Sequence, residues 1–471
     1  MEDLYQFEEE YRDTLATVDA EGKRIWIYPK KPKGKHHRAR IAVTVLLLSL
    51  LFAGPFIKIG GQPLLLFNIL ERKFVIFGVP FWPQDFHIFG LATITFFVFI
   101  ILFTVVFGRL WCGWACPQTL FMEMVFRKIE YWIEGDANQQ RKLNQAPWNR
   151  EKILKKGFKQ LIFALIAILI AHTLMAYLVG IDRVKELVTQ PPYENGAGFI
   201  GLLVFTGIFY GVFARLREQA CVAICPYGRL QGVLLNKDSI LVAYDWLRGE
   251  PRGKLKKGQA TEEHGDCIDC KLYVHACPTG IDIRNGTQLE CVNCTACIDA
   301  CDEVMTKVQK PEGLIRYASY NSIKEGKENL FTPRVAGYSG VLAIMLVLLT
   351  FFISTRSEVE ATITRVRGTL YQETEDQQIS NLYNVQIVNK TFDPVELELK
   401  LKDQPEASMA KVGGGSWQIE ANGLSEGVVF IKIPKDNITS AKTKLAIQLI
   451  NGEELIEEVS ISFLGPIIAK P

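Results

Sequence analysis

Long apolar runs separated by polar segments are the main pattern along the chain. A helix that crosses a bilayer takes about 17–25 predominantly apolar residues. Five runs reach this length. A buried core helix is the alternative for any single run, but five together favour a membrane protein. The predicted spans are Ile41–Ile57, Phe86–Phe107, Phe158–Val179, Phe199–Leu216 and Gly337–Ile353.

After about Arg356 the pattern changes to short segments in which apolar and polar residues alternate. Such segments, separated by Asn, Gly, Asp and Pro, are typical of strands with one buried face. Several in succession predict an all-β sandwich of immunoglobulin-like type. The apolar positions are Val385, Ile387, Val388, Val395, Leu397, Leu399, Leu401, Val428, Phe430, Ile433, Leu445, Ile447 and Leu449.

A shorter pattern lies between the second and third predicted spans. Leu120, Met124, Ile129 and Ile133 follow helical spacing, with charged residues between them. This predicts an amphipathic helix lying on the inner membrane surface. A helix packed on the soluble domain is the alternative.

Basic residues predict the orientation in the membrane. Cytoplasmic loops carry an excess of Lys and Arg, and such residues cluster before the first span and between the second and third. The loops 58–85 and 180–198 carry few of them. We therefore expect a multi-pass protein of the bacterial inner membrane with cytoplasmic segments 1–40, 108–157 and 217–336 and an exported tail. The net charge of +2 does not indicate nucleic-acid binding.

Eleven cysteines lie on the predicted cytoplasmic side or at its membrane edge, and the exported tail has none. Thiols in a reducing compartment indicate metal ligands or redox groups, not disulfides. One run has the spacing of bacterial ferredoxins, C-x2-C-x2-C-x3-C. A partner run, which ends in Cys-Pro, has Tyr273 in place of its third cysteine. The two runs are Cys291, Cys294, Cys297 and Cys301, and Cys267, Cys270, Tyr273 and Cys277.

The fourth cysteine of such a run usually serves the other cluster. This predicts one complete [4Fe–4S] site and a second site with three cysteines. The second site would hold a [3Fe–4S] cluster, or a [4Fe–4S] cluster with Tyr273 or His275 as a further ligand. Structural zinc is the alternative for CxxC pairs. The complete set is Cys277, Cys291, Cys294 and Cys297, and the incomplete set is Cys267, Cys270 and Cys301.

Two CxxxCP units stand at the predicted inner membrane edge, after the second and fourth spans. Cys112 and Cys116 belong to the first unit, and Cys221 and Cys225 to the second. Residues i and i+4 share a helix face, so each pair is expected to offer both thiols to one ion. The repetition predicts a paired site of four thiols that suits Cu(I) or iron–sulfur chemistry. Buried structural cysteines are the alternative.

Two histidines fall in or beside the spans. His172 lies inside the third span, and His87 lies at the outer end of the second. Ionisable groups inside membranes are often functional, so both are candidates for a quinol pocket or a metal site. A histidine hydrogen-bonded between helices is the alternative.

These segments predict a multi-domain membrane protein. An α-helical transmembrane bundle of about five spans carries an inserted bacterial-ferredoxin-like α+β domain and a C-terminal all-β immunoglobulin-like sandwich. A small cysteine-rich domain of the inserted kind needs metal to hold its fold. The predicted divisions are a cytoplasmic N-terminal segment 1–40, a four-span region 41–236, a ferredoxin-type domain 237–336, a fifth span 337–353 and a periplasmic sandwich 354–471.

The order of these motifs resembles the CcoG family of cytochrome c oxidase accessory proteins, also called FixG or RdxA. The resemblance rests on the two CxxxCP units, on Cys-Pro-Thr-Gly-Ile-Asp-Ile-Arg at 277–284, on 291–302, and on the cysteine-free tail. It implies two [4Fe–4S] clusters, a periplasmic immunoglobulin-like tail and a role in assembling cbb3-type oxidase by reducing Cu(II) to Cu(I). Tyr273 departs from the family pattern and puts the second full cluster in doubt.

The resemblance leaves three functional hypotheses. The first is a cupric reductase whose partners are the lipid bilayer, copper ions, and oxidase subunits or copper-delivery proteins, with an unidentified electron donor. The second is a quinol-oxidising relay subunit of a respiratory pathway, as more distant relatives suggest. The third is a copper-binding assembly chaperone whose clusters are structural.

Overall fold

The computed structural model describes residues 21, 23–69, 73–82, 85–254, 264–366, 368, 370–374, 376–402, 406–438 and 440–466. The first half of the predicted N-terminal segment, residues 1–20, therefore lies outside the described residues, as does residue 22. The chain forms two compact units. They comprise Met1–Phe56 with Phe89–Leu349, and Ile57–Ile88 with Thr350–Pro471.

Five helices in the described part of the chain are long and apolar enough to cross a membrane, which confirms the predicted spans. The first and third begin well before their apolar runs. The third starts at Arg150, where the Asn149 side chain accepts a hydrogen bond from the backbone of Lys152 and caps the helix. Polar residues thus extend these helices beyond their apolar runs. The bounds are Lys35–Phe56, Phe86–Phe107, Arg150–Val179, Gly196–Leu216 and Pro333–Ser354.

Shorter helices connect the spans and surround the cysteine motifs. Three of them are π-helical turns, which are rare and frequently mark functional sites. The π-helices are Leu120–Phe126, Ala220–Ile224 and Val212–Leu216, of which the last is the final turn of the fourth span, and the α-helices are Leu110–Trp114, Pro117–Thr119, Arg127–Ile133, Ala137–Gln145, Ile181–Thr189 and Pro226–Leu234.

The segment predicted to be an amphipathic surface helix is helical but packs inside the protein. Its charged residues Arg127 and Glu130 are buried. Arg127 Nε lies 3.1 Å from Glu123 Oε1, and Arg217 NH1 lies 2.8 Å from Glu130 Oε1. Buried charges are tolerated because they are paired in this way. The segment packs against the spans, where the Phe126 ring contacts Phe163 and Phe213, so the alternative of a helix on the soluble domain does not describe it either.

The inserted cysteine-rich region has the predicted α+β form. Its two short strands pair antiparallel, Val242 opposite Tyr317, and its main helix packs beside them. The core combines apolar side chains such as Met305 and Ile315 with cysteines, so the ligand positions are part of the packing. The strands are Leu241–Tyr244 and Ile315–Ala318, and the helices are Trp246–Gly249, Leu272–Ala276, Ile283–Asn285, Ala296–Lys307 and Tyr320–Glu325.

The second unit contains a sandwich of two antiparallel sheets, which confirms the immunoglobulin-like prediction for the tail. Alternate residues of its longest strand, including Tyr383, Val385 and Ile387, are buried between the sheets. One sheet contains Ser408–Lys411, Leu424–Pro434, Gln378–Asn389, Val359–Arg365 and Gln372–Glu373, and the other Trp417–Ile419, Val395–Leu401, Lys442–Asn451 and Glu454–Leu464. Smaller strands in the loop before the second span are Lys58–Ile59, Gln62–Pro63, Leu65–Asn68, Lys73–Ile76 and Val79–Phe81.

An ion cluster within the same unit joins the sandwich to that loop. The buried carboxylate of Asp85 lies 2.7 Å from Lys390 Nζ and 2.8 Å from Arg356 NH2. Lys390 also pairs with Glu360 at 2.7 Å. The two cations hold the pKa of Asp85 below its usual value although burial alone would raise it. These contacts fix the sandwich against the loop segment of its own unit.

Candidate functional site

The two ferredoxin-type runs adopt the same loop conformation. The residue before and the residue after the second cysteine of each run have a left-handed backbone, with φ values of 52° at Asp269, 54° at Lys271, 52° at Asn293 and 65° at Thr295. Non-glycine residues rarely adopt this region. Alternating right- and left-handed residues point successive N–H groups into a concave nest, as at many iron–sulfur sites. The run with Tyr273 therefore keeps a cluster-binding backbone.

The four cysteines of the predicted complete set line one pocket. Cys277, Cys291, Cys294 and Cys297 surround it together with apolar side chains that include Ile283. Burial, with neighbouring thiols adding to it, raises the pKa of Cys291 to about 11 and that of Cys294 to about 12. The free thiols are thus protonated near neutral pH. A metal that binds them must displace these protons.

Two buried arginines beside this pocket indicate whether its surroundings suit an anionic cluster. Arg40 donates from Nε to the Gly113 carbonyl and from NH1 to the Cys294 carbonyl, both at 3.0 Å. Arg109 donates to the carbonyls of Leu289 and Cys291. Arg40 NH2, Arg109 Nε and the Asn293 side-chain amide are buried without a hydrogen-bond partner among the described residues. Such unpaired donors suit the negative charge of an iron–sulfur cluster held by thiolates.

The predicted incomplete set also comes together. The pKa of the buried Cys301 rises to about 12, mainly through burial and then through the nearby thiols of Cys270 and Cys267. Cys267 is buried, whereas Cys270 is the one exposed cysteine in the described chain, which includes all eleven. The second site therefore reaches the protein surface at Cys270, whereas the cysteines of the first site are buried or only partly exposed.

Tyr273 occupies the position of the missing cysteine, but its hydroxyl already has a partner. It donates to Asp282 Oδ1 at 3.1 Å. Arg284 lies over the tyrosine ring at 5.4 Å and pairs with Asp282 at 2.7 Å and with Asp269 at 2.6 Å. Burial and the Asp282 carboxylate raise the pKa of Tyr273. The phenol is thus held neutral, which weakens it as an iron ligand. Its proposed ligand role, like that of the exposed His275, stays a prediction.

The CxxxCP units have a different local geometry from the one expected. Cys112 lies in the helix Leu110–Trp114, and Cys221 in a π-helical turn. Cys116 and Cys225 are extended and cap the helices that follow them. The expected pair at i and i+4 on one helix is therefore wrong. The reason is the proline after each second cysteine, which restricts the preceding residue to extended backbone and starts a new helix.

The structure nevertheless brings all four CxxxCP thiols to one place. Burial raises the pKa of Cys112 to about 11 and that of Cys221 to about 12, and the other thiols of the group add to both shifts. Cys112 Sγ also lies 3.4 Å from the Gln231 side chain. Burial raises the pKa of Cys116 as well. Among the described residues, no three Cys, His, Asp or Glu side chains already surround a single metal-ion position.

The CxxxCP site and the complete ferredoxin set are in direct contact. Gly113, inside the first CxxxCP unit, packs against the loop of the other site so closely that a Cβ would lie 2.5 Å from the carbonyl oxygens of Val292 and Asn293. Trp114 Nε1 donates to Tyr317 at 2.9 Å, and the Tyr317 hydroxyl donates to the Asn293 carbonyl at 3.3 Å. Backbone and side chains thus join the two cysteine sites within one unit.

The two candidate histidines contact residues outside the cysteine sites. His172 Nδ1 lies 2.7 Å from the Ile168 carbonyl of its own helix. The His87 ring packs edge-to-face against Phe352 with 5.7 Å between centroids. Neither contact involves a cysteine or a second ionisable group. Their role in a quinol pocket or a metal site remains a prediction.

The sequence reading missed Arg40, Arg109 and Gln231 as members of the site. The sequence indicates Arg40 only as one of the basic residues before the first span, which predict the orientation in the membrane. Its position at the start of an apolar run was the available signal, because a cation there is costly unless it has a buried partner. Arg109 carries a similar signal between a span and Cys112. Nothing in the sequence distinguished Gln231 from other polar residues.

Three family models match the chain. A 4Fe-4S dicluster domain matches residues 216–320, and a 4Fe-4S binding domain matches residues 89–135. A model described as the IG-like fold at the C-terminal of FixG matches residues 349–466. The second model covers Cys112 and Cys116, outside the ferredoxin runs.

Curated relatives extend over nearly the whole chain. Nitrogen fixation protein FixG of Rhizobium meliloti is 31% identical over 477 residues, covering 89% of this chain and 88% of the relative. The chain belongs to the FixG/RdxA family. Protein RdxA of Cereibacter sphaeroides is likewise 31% identical, covering 90% of this chain and 93% of the relative. As a family member, the chain is a membrane-associated iron–sulfur electron-transfer protein.

More distant similarities cover parts of the FixG/RdxA architecture. The ferredoxin-type protein NapH of Escherichia coli is 24% identical and covers 44% of this chain and 63% of that protein. A crystal structure of a FixG-related protein from Vibrio parahaemolyticus matches 23% of this chain and 97% of that chain at 22% identity, with a TM-score of 0.21.

Proposed function

We propose that this protein reduces Cu(II) to Cu(I) at the four CxxxCP thiols, using electrons that arrive through its ferredoxin-type domain. The observation that carries the proposal is the contact at Gly113, where the loop of the complete cysteine set rests on the first CxxxCP unit without room for a Cβ. Thiols and cluster ligands are therefore neighbours, as stepwise electron transfer requires.

The residues that would hold the electron carrier are Cys277, Cys291, Cys294 and Cys297, and a [4Fe–4S] cluster bound there supplies one electron at a time. Arg40 and Arg109 place positive charge beside these thiolates. Their backbone contacts also hold the ferredoxin loop against the CxxxCP unit. These contacts support a carrier site at this position with cations beside it.

The thiols of Cys112, Cys116, Cys221 and Cys225 would bind the copper substrate. Soft thiolates stabilise Cu(I) over Cu(II), so binding there favours reduction. Each Cu(II) takes one electron, and the thiols that bind it release their protons to solvent. The thiols are regenerated unchanged when Cu(I) leaves, because the electron comes from the carrier and no disulfide forms.

Assignment to oxidase assembly rests on the family resemblance. Copper as Cu(I) would pass to cbb3-type oxidase subunits or to copper-delivery proteins. The basic loops support placing the cysteine sites in the cytoplasm and the sandwich in the periplasm.

A paired thiol variant tests the copper site. The purified protein, reconstituted with iron and sulfide and reduced with dithionite that is then removed, should reduce Cu(II) to a Cu(I) that a chromophoric chelator reports. Cys112→Ser with Cys116→Ser should abolish this reduction while leaving cluster absorbance intact. Cys294→Ser should remove the cluster and the reduction together. A native rate in the CxxxCP double variant would show that the thiol-site mechanism is wrong.

A second candidate function has its own support. The 4Fe-4S binding domain model that covers Cys112 and Cys116 favours iron and sulfide, not copper, at the four thiols. The similarity to NapH supports a quinol-oxidising relay as the corresponding role. Loss of bound iron in the Cys112→Ser, Cys116→Ser variant, together with quinol-driven reduction of the native protein and no copper turnover, would establish this alternative. Copper binding without any turnover would instead favour an assembly chaperone with structural clusters.

A further inference from the structure

The two ferredoxin-type sites differ in their access to solvent. Cysteines of the complete set are buried or partly exposed and line a pocket beside the CxxxCP unit. In the other set, Cys270 is exposed. Electron transfer slows steeply with distance, so an electron from a soluble protein is expected to enter at the exposed site. The expected path of an electron then runs from the surface at Cys270 to the complete cysteine set and finally to the CxxxCP thiols.

Lysines flank the helix Leu272–Ala276, which follows the exposed cysteine. Lys271 follows Cys270 directly and is exposed, as are Lys30, Lys31 and Lys33 of the segment before the first span. That segment lies against the ferredoxin-type domain, because Lys30 N donates to the His275 carbonyl at 2.7 Å. We call these four lysines the basic face.

The basic face and the cluster helices share a pocket. Lys30, Lys31 and Lys33 line a cavity of about 230 Å³ together with the helix residues Leu272 and Ala276 and the carboxylates of Asp136 and Glu303. The helix Leu272–Ala276 begins two residues after Cys270 and ends one residue before Cys277. The lysines therefore border the helix that joins ligands of both cysteine sets.

Neighbouring carboxylates are paired with other cations. Asp269 lies 2.6 Å from Arg284, Asp266 lies 2.5 Å from Arg248, and Glu303 lies 2.5 Å from Lys307. One further carboxylate, that of Asp136, accepts a hydrogen bond from the backbone N–H of Lys31 at 2.8 Å. Among the described residues, no ion pair is formed by the ammonium groups of the basic face. The face consequently carries a surplus of positive charge around an exposed cluster ligand.

We infer that the basic face docks an acidic, soluble one-electron carrier protein, such as a flavodoxin, which delivers electrons at the Cys270 corner. The inference rests on the proposed function and names its electron donor. Each encounter oxidises the donor by one electron and reduces the acceptor bound by Cys267, Cys270 and Cys301 by one. Complementary charge speeds such encounters and suppresses wrong partners.

A membrane contact is the competing use of these lysines, because basic residues before a span also attract anionic lipids. The hydrogen bond from Lys30 to the His275 carbonyl favours the protein partner. This hydrogen bond holds the lysine-bearing segment 30–33 against the helix Leu272–Ala276. Lys271 belongs to the ferredoxin-type domain itself. The lysines thus frame a redox site, which a lipid headgroup would not use.

Charge reversal tests the docking surface. The probe is a purified acidic flavodoxin, and the protein is the full chain in phosphatidylcholine nanodiscs, reconstituted with iron and sulfide. Lys30→Glu with Lys33→Glu should weaken flavodoxin binding at least about tenfold at low salt and slow cluster bleaching by flavodoxin hydroquinone in parallel. The matched control, Lys324→Glu with Lys327→Glu, makes the same charge change at exposed positions elsewhere in the unit and should shift the affinity less than about twofold. Binding by the native protein should also weaken as salt rises from about 20 to about 300 mM.

Equal affinities for flavodoxin in both variants would overturn the docking proposal. An unchanged affinity together with a lost preference for phosphatidylglycerol nanodiscs would replace it with a lipid contact. These assays contain no copper, so they read donor docking even if copper reduction fails. Conversely, dithionite-driven copper reduction should be equal in both lysine variants, since it bypasses the docking step.

Discussion

Tyr273 shows how one residue separates two otherwise equivalent sites. Both cysteine runs have left-handed residues at matching positions, so the backbone at Cys270 is as ready for a cluster as that at Cys294. The side chain at 273 differs, because its hydroxyl donates to Asp282 under the Arg284 guanidinium. Three thiolates and a neutral phenol bind the fourth iron weakly. The second site should accordingly lose that iron on oxidation and give a [3Fe–4S] cluster.

Replacing Tyr273 tests this account. Tyr273→Cys should supply the fourth thiolate and convert the site to an air-stable [4Fe–4S] cluster, removing the [3Fe–4S] EPR signal of the oxidised protein and raising the iron count. Tyr273→Phe is the matched control, because it removes the hydroxyl without adding a ligand and should keep the [3Fe–4S] signal. Two full clusters that survive air exposure in the native protein would contradict the three-cysteine site.

Arg40 is the residue whose charge should set the potential of the buried site. It contacts the Cys294 carbonyl at 3.0 Å and is buried at the start of the first span. A nearby positive charge favours the reduced, more negative cluster, so Arg40→Gln should lower the reduction potential by some tens of millivolts. EPR-monitored redox titration measures this shift. Arg38→Gln, two residues away at an exposed position, is the control and should leave the potential unchanged. An unshifted potential in Arg40→Gln would assign Arg40 a purely structural role.

At the scale of elements, glycine packing decides how the cysteine sites meet. Gly113→Ala should push the Val292–Asn293 backbone away, since the new Cβ would lie 2.5 Å from two carbonyl oxygens that cannot move independently. We expect loss of cluster occupancy or slower copper reduction, measured by cluster absorbance and by the chelator assay. Gly211→Ala is the control, because a Cβ there meets nothing within 4 Å. Equal behaviour of the two variants would show that the contact at Gly113 does not support electron transfer.

The bounds of an element could be predicted from the sequence where the change in hydropathy alone determines them. The second span, Phe86–Phe107, has the bounds that hydropathy predicts, because its ends coincide with the change from apolar to polar residues. The third span begins at Arg150 instead of Phe158, since a capped polar turn continues the helix where hydropathy no longer reports it. The local fold of Cys116 depended on its proline neighbour, which outweighs helical periodicity.

At the scale of the whole molecule, the sequence predicted which cysteines gather but not what holds the sites together. Spacing and repetition indicated both ferredoxin-type sets and the four-thiol group, because ligand geometry restricts spacing. The contacts of Arg40 with Gly113 and Cys294 join residues that are 73 and 254 positions apart, respectively. No local pattern encodes contacts at such separations, since they depend on how the ferredoxin-type domain docks on the spans.

Topology is the prediction that tests the arrangement as a whole. Five spans and the Lys and Arg asymmetry predict that the cysteine-bearing loops lie in the cytoplasm and the sandwich in the periplasm. Alkaline phosphatase fused after Pro471 should therefore be active, because it folds only when exported to an oxidising compartment. The same reporter fused after Glu325, before the fifth span, should be inactive, whereas a green fluorescent protein at that point should fluoresce. An active phosphatase after Glu325 would place the cysteine sites outside the cytoplasm, where a reducing pool no longer protects their thiols, and would exclude a cytoplasmic flavodoxin as donor.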